Sequence, residues 1–234
     1  MVPFLRAHLA GLRALYEAYV IVATPQTSAE TVQLYGDHDC DIRLTGSAEI
    51  GTSRRRAVAL ALETDDEHFH YCDADRVLHW WMNYPNELRN LIESVIMKVD
   101  YSAIGRTPRA FATHPLVQRE AEYICNRVFA LLYDGRDGTL DVCAGSCGFS
   151  RQAGELILRR SHEPTNATDA EWPMLVNNCP DYTLQFIETE GLEFETATFF
   201  GDAVHKQAHS ADNWARRVRL AIDSFEAAAR LNPS

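Results

Sequence analysis

HFHYCDADRVLHWW, residues 68–81, changes character at its centre. Phe69 to Cys72 reads as a short buried strand, and it ends directly in Asp73-Ala-Asp75-Arg76. Such a strand delivers carboxylates to its C-terminal edge, which is where open α/β sheets bind ligands. Two carboxylates at i and i+2 beyond a strand can hold a hard divalent ion, Mn²⁺ or Mg²⁺, and leave coordination positions for phosphate oxygens. The competing reading is a solvated turn in which an aspartate caps the next helix. With 33 acidic residues in the chain, D-x-D also arises readily by chance. His79, Trp80 and Trp81 follow on a helix, where they either line a sugar pocket or, as paired tryptophans more often do, fill the core.

Immediately upstream, Gly51-Thr-Ser-Arg54-Arg55-Arg56-Ala-Val-Ala-Leu-Ala-Leu62 opens with turn and capping residues and continues in helix formers. Three arginines are thereby placed in the first helical turn, where cations oppose the helix dipole and an anion at the helix start would compensate them. Arginines merely solvating the surface are the plain alternative. Earlier still, Leu5, Leu9, Leu12 and Leu15 predict an amphipathic helix near residues 4–17, and Tyr19–Ala23 a β-branched strand. Thr27 to Glu30 has capping-box spacing before a short helix closed by Gly36, and Asp41–Leu44 reads as a strand.

Downstream, Pro85 opens a helix running to about Met97, Val99–Ile104 is a strand, and Gly105–Pro108 a turn. Leu116 to Leu132 is a long helix with Leu116, Ala121, Ile124, Val128 and Leu131 near one face. Leu140–Ala144 reads as a strand, and Gly145-Ser146-Cys-Gly148-Phe-Ser-Arg151 as a small-residue turn feeding a helix near 151–160. Thr168-Asp169-Ala-Glu171-Trp172 starts another helix, Leu192–Phe199 reads as a strand, and Trp214, Val218, Ala221 and Phe225 stripe a closing helix. Strands alternating with helices imply an α/β chain with a mainly parallel, Rossmann-like sheet and helices on both faces.

The chain has 234 residues, room for one such domain, with a net charge of −11 that disfavours a nucleic-acid polymer or an anionic membrane surface while leaving room for a small diphosphate. No apolar run is long enough to span a bilayer, and the charges near the start interrupt any signal-peptide core, so a cytoplasmic location is expected. Six cysteines without a repeated C-x-x-C spacing read as reduced thiols.

The order of these features resembles the nucleotide-sugar glycosyltransferases of GT-A fold. The carriers are Gly51 with the following arginines, the strand ending in Asp73-Ala-Asp75, Gly145-x-x-Gly148-Phe-Ser-Arg151, and Thr168-Asp169-Ala-Glu171-Trp172. The resemblance covers roughly residues 12 to 205. It implies a metal-dependent hexosyltransferase that moves a sugar from a nucleotide-diphosphate donor to a hydroxyl acceptor. Residues 1–110 would form its nucleotide-sugar and metal half, and 111–234 its acceptor half. Asp73, Asp75 and His205 would hold Mn²⁺ or Mg²⁺. Arg54, Arg55, Arg56, Asp73, Gly145, Ser146 and Arg151 would contact the donor, and Asp169 or Glu171 would face the acceptor as general base or sugar-orienting carboxylate. Helix N-capping is the ordinary role for Asp169. Members of that family begin with a strand before the first helix, and here that strand is missing, so no residue is assigned to the base. A non-catalytic module of the same fold and an NDP-sugar nucleotidyltransferase are the alternatives; the glycine-rich basic loop usual near the start of the latter does not occur here.

Overall fold

The computed structural model describes residues 1–135, 138–200 and 210–232. The chain is α/β, with two small sheets. Helix α1 (Val2–Arg13) buries Leu5, Leu9 and Leu12 and leads to strand β1 (Val20–Ala23). Helix α2 (Ala29–Gly36) is capped by Ser28, whose side chain accepts from the Thr31 N–H, and strand β2 (Asp41–Leu44) then pairs in parallel with β1. Next come α3 (Ile50–Ala61), β3 (His68–Cys72), α4 (Ala74–Asn83) and α5 (Pro85–Asn90). The last of these runs on through a wide π-turn at Leu91–Val95 and a tight turn at Ile96–Lys98, so the helix expected to reach Met97 is irregular in its second half.

Strand β4 (Tyr101–Arg106) is buried along its whole length, as a central strand should be. Arg106, expected in a turn, belongs to this strand: its side chain is wholly buried and ion-paired to Asp141 and Glu122. Helices α6 (Pro108–Ala112) and α7 (Leu116–Asp134) follow, then β5 (Ser146–Ser150), α8 (Arg151–Arg160), α9 (Thr168–Asn177), β6 (Leu184–Thr189), α10 (Thr196–Phe200) and α11 (Ala211–Leu231).

The main sheet has the order β3-β5-β4-β6, and only β4 and β6 are parallel; β5 is antiparallel to both its neighbours. The sheet is therefore mixed and mostly antiparallel, which corrects the mainly parallel expectation. The cause lies in Gly145–Ser150. Leu140–Ala144 forms no strand, and the chain arrives at the C-terminal edge of β3, where the Asp73 N–H donates to the Gly145 carbonyl at 3.1 Å. It turns at Gly145 (φ +64°) and runs back along β3, so the small-residue segment read as a turn is itself the strand. Leu192–Phe199 is likewise not a strand; β6 precedes it, and α10 begins within it.

Helices cover both faces of the main sheet. Tyr101 and Ala103 of β4 pack with Phe69, Phe149, Ile157 and Trp172, whereas Ile104 packs with Leu9, Leu78, Trp80 and Leu88. Trp80 and His79 are thus core residues, and Trp81 packs against the same cluster. On α7 the buried side carries Val117, Ala121, Cys125 and Phe129; of the expected stripe Ala121 is buried and Val128 half-buried, while Leu116, Ile124 and Leu131 face outward. On α11 the buried residues are Ala221, Ser224, Ala227 and Ala228, with Val218 exposed. All six cysteines are free. Among the described residues, no helix is long and apolar enough to cross a membrane.

Candidate functional site

Asp73 begins α4 with extended backbone but makes no side-chain capping bond. Its carboxylate turns instead toward α3. Arg54 lies in the second turn of that helix, which starts at Ile50, so the arginines are not in the first turn. From this position the guanidinium enters the interior with only 5% of its side chain exposed. Arg54 Nη2 donates to Asp73 Oδ2 at 3.2 Å, while Nη1 donates to Asp169 Oδ1 at 2.6 Å and to Thr168 Oγ1 at 3.0 Å. The Tyr71 hydroxyl donates to Asp73 Oδ1 at 2.8 Å, and the Arg54 guanidinium lies 5.6 Å from the Tyr71 ring centre. Arg76, three residues beyond Asp73, brings Nε to 3.9 Å from Asp73 Oδ2 and donates from Nη1 to the Ala144 carbonyl. Three separate segments, α3, the β3–α4 junction and the start of α9, thereby converge on one alternating chain of charges.

The electrostatics follow from burial and these partners. Burial would raise the Asp73 carboxyl, but Arg54 and Arg76, with the Tyr71 hydroxyl, hold it below its ordinary value. Burial would lower Arg54, yet Asp169 and Asp73 together hold it well above its ordinary value. Asp169 is pushed up to about 6 by burial, although Arg54 opposes the shift. Asp75 also rises to about 6, through burial, then Glu195 and Asp73. Glu195 is itself 5% exposed, and its Oε2 has no hydrogen-bond partner.

Asp73 and Arg54 border a cavity of about 580 Å³ between β1 and β3. These two strands are not hydrogen-bonded to each other, so the cavity separates the small sheet from the main one. Ile21, Val22, Ala57, His68 and His70 contribute to its walls. His70 is anchored between the Tyr16 hydroxyl at 2.8 Å and Ser146 Oγ at 3.1 Å, and burial lowers its pKa to about 4, leaving the ring neutral.

Of the residues expected from sequence, Arg54, Asp73, Asp169 and Gly145 come together. A Cβ on Gly145 would lie 2.5 Å from Asp73 Oδ2 and 3.3 Å from Arg54 Nη2, at a backbone angle that L residues rarely adopt. Gly145→Ala is expected to cost about 1–2 kcal/mol and to displace the Asp73 carboxylate, measured by urea unfolding and by loss of any Asp73-dependent ligand binding.

The other expected site residues are placed elsewhere. The N-terminus of α3 is closed by the 163–165 loop: Gly51 N–H donates to the Pro164 carbonyl at 2.9 Å, leaving no anion seat there. Arg55 is spent on the Glu163 carbonyl and on Thr52, and Arg56 is exposed. Arg151 sits at the far end of β3, where it donates to the Leu62 carbonyl at 3.0 Å and the Asp66 carbonyl at 2.6 Å. Ser146 bonds His70 rather than the charged cluster. Glu171 is 6% exposed and accepts from Ser161 Oγ and from the His162 N–H at 2.9 Å, a structural tie across the α8–α9 connection. His205 lies outside the described residues.

Sequence reasoning missed Tyr71, Arg76 and Glu195. The arginine in Asp-Ala-Asp-Arg at i+3 from Asp73 was the available signal for Arg76; an isolated glutamate after β6 carried none. Among the described residues, no three His, Cys, Asp or Glu side chains are grouped as a ready-made metal site. No protein-family model matches the chain, and no curated protein matches it.

Proposed function

We propose that the chain is a glycosyltransferase of GT-A type that binds a nucleotide-diphosphate sugar and transfers the sugar to a hydroxyl acceptor. One observation carries the reading: Asp73, at the C-terminal edge of β3, and Arg54 meet at the wall of the cavity of about 580 Å³, a volume suited to a small organic ligand. The reaction breaks the bond between the anomeric carbon and the diphosphate as the acceptor oxygen bonds to that carbon, and the acceptor's hydroxyl proton passes to water or to the departing diphosphate. Negative charge develops on the leaving diphosphate, and fixed cations stabilise it better than water does because they need no reorganisation. Arg54 lines the cavity and is the cation available to that charge, while Arg76 does not line it and acts on Asp73. Asp169 positions Arg54, because its oxygen lies 2.6 Å from that guanidinium and the residue does not line the cavity.

The fit to a divalent ion rests on Asp75 rather than Asp73. Both Asp73 oxygens already accept from Tyr71 or Arg54, whereas Asp75 accepts the Arg76 N–H through Oδ1 at 3.0 Å and is raised by the charge of Glu195, whose Oε2 lacks a partner. Paired carboxylate oxygens are the donor set that Mg²⁺ and Mn²⁺ take. Asp75 and Glu195 would hold the ion and supply it with carboxylate oxygens; neither lines the cavity, so the residue of this chain that would meet the diphosphate charge there is Arg54.

Calorimetry with UDP- and GDP-sugars, with and without Mn²⁺, tests donor binding. At least one donor is expected to bind, and Asp73→Asn is expected to lower release of the nucleotide by about a hundredfold. Absence of binding by every donor in both conditions would overturn the proposal. The internal neutralisation of Asp73 favours a second reading, a sugar-nucleotide-binding module without turnover. Donor binding with no released nucleotide, in the presence of a panel of hydroxyl acceptors, would select it.

A further inference from the structure

The outward face of α7 is apolar where a solvent face should be polar. Nine large hydrophobic residues are exposed among those described, and four lie on this helix: Leu116 (50%), Tyr123 (47%), Ile124 (53%) and Leu131 (49%). Two more, Val218 and Ile222, lie on α11, which packs against α7. At 3.6 residues per turn, positions 116, 120, 123, 124, 127 and 131 fall within about 100° of the helix circumference, opposite the buried Ala121, Cys125 and Phe129. The two polar members of this stripe are Glu120 and Arg127, both exposed.

The order along the stripe is self-complementary. Reversing the helix about the midpoint between Tyr123 and Ile124 places Leu116 opposite Leu131, Glu120 opposite Arg127 and Tyr123 opposite Ile124. With a rise of about 1.5 Å per residue, the leucine pairs lie about 11 Å and the charge pairs about 5 Å on either side of that midpoint. A two-fold interface demands this property, since residue i must suit residue j and j must suit i. We propose that α7 is the contact surface of a homodimer, in which two copies of the helix pack antiparallel about a two-fold axis between Tyr123 and Ile124.

Charge complementarity selects a second copy of this chain as the occupant: the antiparallel arrangement gives two Glu120–Arg127 pairs flanking an apolar centre, and a parallel arrangement in register sets like charge against like. Arg127 also interacts within its own chain, and a guanidinium has donors enough for a second partner. One helix pair is a small contact, so the association is of the weak, concentration-dependent class.

Sedimentation velocity on the full chain, from about 1 to about 300 µM, tests this, with a weight-average mass expected to rise toward twice that of the chain. Ile124→Asp, beside the axis and therefore counted twice, is expected to weaken self-association about a hundredfold. Glu120→Arg alone is expected to weaken it at least tenfold, and Glu120→Arg combined with Arg127→Glu to recover to within about threefold of the parent. Ile124 and Glu120 are exposed, so circular dichroism and the urea midpoint of Ile124→Asp and of Glu120→Arg should stay unchanged and separate loss of contact from loss of fold. A mass that stays monomeric throughout overturns the proposal, as does a dimer indifferent to Ile124→Asp or a double reversal no better than the single one.

Discussion

Arg54→Met is expected to destabilise the chain by about 3–5 kcal/mol, because it removes the cation and leaves two carboxylates in a largely buried site. Asp169 is 13% exposed and Asp73 31%, so neither is fully hydrated once the guanidinium is gone. Methionine keeps much of the aliphatic stem, so the loss reports on charge more than on packing. Adding Asp169→Asn removes one of the orphaned charges and is expected to restore about 1–2 kcal/mol, making the two substitutions non-additive. Urea unfolding of the two single variants and the double one measures that coupling. Additive effects would show that Arg54 and Asp169 do not act on each other, and the charge chain described above would then be incidental. In the proposed reaction the same variant removes a cation from the leaving-group site, so turnover should fall further than the fraction of folded protein does.

Gly191→Ala is expected to cost about 3 kcal/mol, near the upper end of overpacking effects. A Cβ there would lie 1.8 Å from Trp80 Cδ1 and 2.1 Å from its Nε1. The indole cannot withdraw cheaply. It is fully buried, and its Nε1 donates to Glu87 Oε2 at 2.7 Å, an oxygen that also accepts from the Gly191 N–H at 2.9 Å. Glu87 Oε1 accepts from the Glu190 N–H at 2.9 Å, so one carboxylate fastens the end of β6 to α4. Moving the ring would disturb all three bonds together. Gly46→Ala is the control, since nothing lies within 4 Å of a Cβ at that position, and its effect should stay under about 0.5 kcal/mol. Equal midpoints for the two alanine variants would mean that the Trp80 contact is not as close as described.

Elements with a strong local signature were legible in advance. The β-branched Val20–Ala23, the strand Asp41–Leu44 and the helix over 151–160 all appear close to where their residues place them. The Asp73 strand and its junction with α4 also stand, and Arg54 does reach Asp73. What failed has a common cause. Gly145–Ser150 has the composition of a turn, yet becomes β5 because the open edge of β3 supplies hydrogen-bond partners. Asp169 and Glu171 are two residues apart on one short helix, and no pattern says which reaches Arg54 and which is tied to Ser161 and His162. Arg151 looked like a phosphate-binding residue and is instead a clamp on backbone carbonyls.

By itself, then, the sequence determined that strands and helices would alternate, where most of them lie, and that an acidic strand end would follow a basic helix. Those properties come from neighbours within one or two turns of chain, whose periodicity and capping chemistry are written locally. The direction of β5, the cavity between β1 and β3, and the choice of Asp169 over Glu171 were decided only by the tertiary structure. Each depends on which distant backbone edge or buried charge a segment meets, and desolvation makes an unpaired group in such a place costly enough to override local preference.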